Sequence, residues 1–89
     1  SNEMMKEALP YLETAMNLSK QLPPEKRIKF VSMIVWKLSN IYSFLNECDS
    51  AIRLLEEDLE NQQLYYKDHY KAKRPFYWLH VSYKSMRHC

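Results

Sequence analysis

The chain predicts an all-α domain of four main helices in antiparallel hairpins, and three observations carry that prediction. There is no glycine among the 89 residues. Type I′ and II′ hairpin turns and G1 bulges depend on glycine, so a sheet protein is disfavoured. Val31, Ile34, Leu38, Ile41 and Leu45 recur at 3-4-3-4 spacing, the stripe of a buried helix face. The frame Leu38-x-x-x-Tyr42 returns 41 positions later as Leu79-x-x-x-Tyr83, and Ala8-Leu9 returns after 43 as Ala51-Ile52. A period in this range marks stacked helical hairpins, each burying its apolar face against the next.

Each helix has its own local reasons. The first, from about Glu3 to Gln21, places Met5, Ala8, Leu9, Leu12, Ala15, Met16 and Leu18 near helical spacing, with a kink expected at Pro10. Pro23-Pro24 ends it and starts the second, from about Pro24 to Leu45. Proline loses nothing in the first turn, and Glu25 meets the positive end of the helix dipole. Ile28, Val35 and Tyr42 widen the second helix's stripe. Phe30, Met33, Trp36 and Phe44 add apolar surface around it, so this helix is expected at the centre.

Asn46 to Asp49 reads as the next turn, with Asp49 or Ser50 as N-cap. The third helix directs Ala51, Ile52, Leu55, Leu59 and Tyr66 inward, sets Glu56, Glu57, Asp58 and Glu60 mostly on the other side, and is expected to reach about Lys73. Pro75 stops it and opens the fourth, which includes Phe76, Leu79, Tyr83 and Met86.

The totals bound function. One small domain of this size buries roughly 60–65% of its unfolded surface. The longest apolar run, Val31 to Trp36, is far short of the ~20 residues of a membrane span, so no membrane role is expected. Without glycine there is no Walker A loop, G-x-G-x-x-G turn or G-x-S-x-G elbow. The two cysteines, Cys48 and Cys89, are fewer than a disulfide framework uses. Both are expected reduced, with an intracellular location, cytoplasmic or nuclear.

Leu38-Ser39-Asn40-Ile41-Tyr42 followed by Ala51-Ile52 resembles the tetratricopeptide repeat, in which a helix A and a helix B alternate. Glu7 to Leu18 resembles a preceding helix B, with Ala8 and Ala15 in the two small-residue places, and Pro75 to Arg87 a following helix A. The chain departs from the pattern at Ser39, at Asp58 (the second small place of the central helix B), at Gln63 and in its long period. The order B, A, B, A fits a single helical domain over residues 1–89, or a piece of a longer array.

The resemblance implies non-catalytic protein–protein binding, as a scaffold or adaptor, with a partner's peptide or helix lying along the A helices. Carrying the register over places Met33, Trp36, Lys37, Asn40, Phe44, Arg74, Tyr77 and Trp78 on that side, with Asn40 where the family uses Asn to hold a peptide backbone. The competing reading puts Trp36 and Phe44 in the core. Self-association as a homodimer across a two-fold axis is one alternative. RNA or DNA binding through the basic, aromatic run from Tyr65 to Arg87 is another, ranked lower. That run can equally be amphipathic packing with a solvated cationic face.

No enzyme is expected, because Cys48 lies among acids that do not lower a thiol pKa. The consecutive carboxylates Glu56, Glu57 and Asp58 point apart and read as a solvated face. No metal or cofactor is expected either. His69, His80, His88, Cys48 and Cys89 lack paired ligand spacing and read as surface histidines and buried cysteines.

Overall fold

The computed structural model of the chain describes residues 2–68, 74 and 76–86, the last two by backbone alone. Four helices follow in order: α1 (Asn2–Ser19), α2 (Pro24–Phe44), α3 (Cys48–Lys67) and α4 (Tyr77–Met86). There is no strand among the described residues. The central helix is α2, which packs most extensively against α3 and next against α1, while α4 packs against α3. The whole measures 40 × 29 × 16 Å.

Each junction has a chemical cause. Gln21 N–H and Leu22 N–H donate to the carbonyls of Leu18 and Ser19, closing α1 in tight turns. Pro23 caps α2, Pro24 occupies its first turn, and Arg27 N–H donates to the Pro23 carbonyl at 2.8 Å. Glu25 pairs with Lys29 one turn later at 3.7 Å.

At the other end of α2, Asn46 N–H donates to Ser43 O and Glu47 N–H to Tyr42 O. These are the two bonds of a Schellman cap, and Asn46 takes the left-handed conformation, φ 62°, that the motif assigns to glycine. In a chain without glycine, asparagine is the residue best able to do this.

Several boundaries differ from expectation. The residue preceding α3 is Glu47, without a side-chain cap bond, rather than Asp49 or Ser50, because the Schellman cap leaves only one residue between turn and helix. The third helix ends at Lys67 with Asp68 as its C-cap, short of Lys73. The fourth begins at Tyr77 after Phe76 at φ 61°, and Pro75 lies outside the described residues. Pro10 sits inside α1 as expected. Cys48 carries a disulfide rather than the free thiol expected. Cys89 lies outside the described residues, so the reduced-thiol argument for an intracellular location loses its basis. No described helix is long and apolar enough to cross a membrane.

The core is Ile28, Ile34, Val35 and Leu38 of α2 against Ala51, Leu55 and Tyr66 of α3 and Tyr83 of α4, with Met16, Val31, Trp36 and Leu54 packed on its edge. Interleaved with it is a buried polar set, Ser32, Ser39, Asp58, Gln62 and His80, of which Asp58 and His80 were expected outside.

Candidate functional site

The α2 and α4 helices run parallel to each other, because both run antiparallel to α3. Three contacts fix the direction of α4: Lys84 meets Glu56 at 3.4 Å, His80 meets Asp58 at 3.0 Å, and Arg74 lies over the Tyr66 ring at 5.7 Å. Rising numbers on α3 meet falling numbers on α4. The hairpin through Asn46 does the same for α2.

The seam between α2 and α4 is aromatic and polar. The Tyr83 hydroxyl donates to the Ser39 carbonyl at 3.2 Å and lies against the Ser43 hydroxyl. Trp36 meets the Tyr83 ring edge-on at 5.5 Å and stacks on His80 at 6.4 Å with planes 14° apart. Beneath it, Gln62 Nε2 donates to Asp58 Oδ2 at 3.0 Å. His80 Nε2 reaches the same oxygen at ion-pair distance but without hydrogen-bond alignment. Asp58 Oδ1, Gln62 Oε1 and His80 Nδ1 are buried with no hydrogen-bond partner among the described residues.

Two sequence readings are corrected here. Asp58 is not on a solvated face, and His80 is not a surface histidine. Each points into the α3–α4 contact, where the sealed pair excludes water. The clue was in the sequence. Asp58 stands at a small-residue place, and His80 follows Leu79 as Ser39 follows Leu38, so the two polar residues meet where small side chains normally let helices approach.

The eight residues expected on one surface divide into two groups. Lys37, Asn40 and Phe44 form an exposed strip along α2, with Phe44 at 57% exposure. Trp78 on α4 is 75% exposed. Met33 is half-buried. Trp36 is half-buried and committed to His80 and Tyr83, so it is a wall of the seam rather than a free contact residue. Arg74 is exposed but lies over the Tyr77 ring at 5.2 Å, and Tyr77, half-buried, meets Trp78 edge-on at 5.4 Å.

The opposite side of α2 holds a feature the sequence reading did not anticipate. Ile28, Val31 and Val35 floor an open cleft of about 490 Å³ between α1 and α3, walled by Met16 and Leu54 and rimmed by Lys20, Arg27, Glu57 and Asn61. The strip and the cleft are thus on opposite faces of one helix.

The basic aromatic run is partly engaged. Lys84 is paired with Glu56, and Arg74 with two tyrosine rings. Tyr70, Lys71, Lys73 and Arg87 lie outside the described residues, as do His69 and His88. Among the described residues no three His, Cys, Asp or Glu side chains come together to hold a metal. Comparison with protein-family models, curated proteins and solved structures returns no match to this chain.

Proposed function

We propose that this chain is a non-catalytic protein–protein interaction module, similar to a tetratricopeptide-repeat stack, that takes a peptide or helix of its partner across α2 and α4. The observation that carries the reading is the exposed strip Lys37, Asn40 and Phe44 on a helix whose other side is core. Spacings of three and four put these residues on one line along the helix. They combine a cation, a side chain that both donates and accepts, and an aromatic anchor, the mixture that recognises an extended backbone with an apolar side chain. Trp78 offers a second anchor on the parallel helix α4.

The Asp58–His80 pair supports the non-catalytic part, since both side chains are at most 1% exposed. Nucleic-acid binding is less favoured, because Arg74 and Lys84 already have aromatic and acidic partners.

The test is a peptide selected from a display library on the wild-type chain. Asn40→Ala and Phe44→Ala are each expected to weaken that peptide about tenfold or more, a loss of about 1.4 kcal/mol, while Met33→Ala has a smaller effect. Unchanged affinity in both Asn40→Ala and Phe44→Ala would reject this surface.

A further inference from the structure

The two outer helices of the stack each present an open face. On α1, Met4, Ala8, Tyr11, Ala15 and Leu18 follow 4-3-4-3 spacing, the seam of a helix packed against another helix. Yet Tyr11 is 79% exposed and Leu18 58%, and Ala8 and Ala15 between them are only half-buried. On α4, Leu79 is 48% exposed beside the still more open Trp78.

The sequence echo says what belongs there. Leu79 repeats Leu38, and Ala8 repeats Ala51. Leu38 and Ala51 are both buried, 4% and 1% exposed, in the α2–α3 pair, the most extensive helix pair of the molecule. Their counterparts have the same residue types but are only half-buried (Ala8) or exposed (Leu79), with no further helix over them among the described residues. Placing α4 of one copy on α1 of another would reproduce the α2–α3 contact between molecules.

Charge favours the same match. Glu3, Glu7 and Glu13 are exposed on α1 against one exposed cation, Lys6, whereas α4 carries no acid and one cation, Lys84, which stays partly exposed beside Glu56. An α1-on-α1 pairing would set charges of one sign together, whereas α1 on α4 does not.

We propose that copies of this chain associate head to tail, the Tyr11–Leu18 seam of α1 on one copy docking against the Leu79 face of α4 on the next. Such a contact is heterologous. It leaves one open face of each kind at the ends of every assembly and grows stepwise unless it closes as a ring. The α1 seam is on a different helix from both the Lys37–Asn40–Phe44 strip and Trp78, so Tyr11→Glu reads association without altering the peptide surface.

The experiment is light scattering after size exclusion on the wild-type chain, on Tyr11→Glu and on Leu79→Glu. Both substituted side chains are exposed, so both variants are expected to keep the wild-type far-ultraviolet circular dichroism. Wild-type mass is expected to rise with concentration beyond that of a dimer, or to reach a closed ring. Each variant alone is expected to be monomeric. An equimolar mixture of the two is expected to form a 1:1 dimer and nothing larger, because each variant retains the face the other has lost. A wild-type monomer at every concentration overturns the proposal. So does a dimer that either variant leaves intact, or a mixture that stays monomeric.

Discussion

His80 Nε2 lies 3.0 Å from Asp58 Oδ2, and neither side chain is more than 1% exposed. This pair joins α4 to α3 at a point where close-packed helices ordinarily place alanine or glycine.

Breaking the pair from one side is expected to be costly. His80→Ala leaves the Asp58 carboxylate buried with Gln62 as its remaining partner, a loss of about 3–5 kcal/mol. Asp58→Ala, which takes the acceptor away from Gln62, is expected to cost less, about 1–3 kcal/mol. The double variant Asp58→Leu/His80→Leu removes both polar groups together and is expected to lose far less than the sum of the single losses. Urea unfolding of the four proteins gives the coupling directly; strictly additive losses would show that the two side chains do not act on each other.

The Schellman cap at the end of α2 rests on one left-handed residue. Asn46→Ala is expected to destabilise by about 1–2 kcal/mol, because a Cβ without a local hydrogen-bonding group meets the full steric cost at φ 62°. Asn46→Gly is expected to match the wild type or exceed it slightly. Thermal unfolding of the two variants tests this. Equal midpoints for alanine and glycine would mean that the turn adapts to its residue.

Burial pushes the Tyr66 phenol above its ordinary value of 10.0, with Tyr65 and Glu25 adding to the rise and Arg74 opposing it. Burial, with Glu13 and Glu47, does the same at Tyr42. In the unfolded chain both phenols ionise near pH 10, whereas in the folded chain they hold their protons to higher pH. The unfolded state therefore binds fewer protons in that window, and stability falls as pH rises through it. The unfolding midpoint is expected to be flat in this respect below pH 10 and to drop above it. Tyr66→Phe, which cannot ionise, is expected to show a shallower drop. An identical alkaline slope would assign the loss to other groups.

The helices were legible because their causes are local. Pro23-Pro24 fixes the start of α2, and the 3-4 spacing from Val31 to Leu45 fixes its inner face. The end of α3 was less legible, since no breaker stands between Lys67 and Ala72 and helix propensity alone would carry it further. Periodicity read Asp58 and His80 outward because it prices each residue alone. Their burial depends on meeting each other across two helices, an interaction visible only once α4 is laid on α3. Trp36 stood between two readings, core and contact surface, and the His80 and Tyr83 rings draw it inward. Phe44, weighed in the same way, has no ring partner among the described residues and stays exposed.

The cap built on Asn46 is one sign of a chain that turns corners without its most permissive residue. With proline and asparagine at its bends and no glycine anywhere, the denatured ensemble ranges over a narrower set of backbone shapes. Less disorder is surrendered when the chain condenses. A domain with so little interior to reward it thus reaches its native form partly by limiting the freedom it starts with.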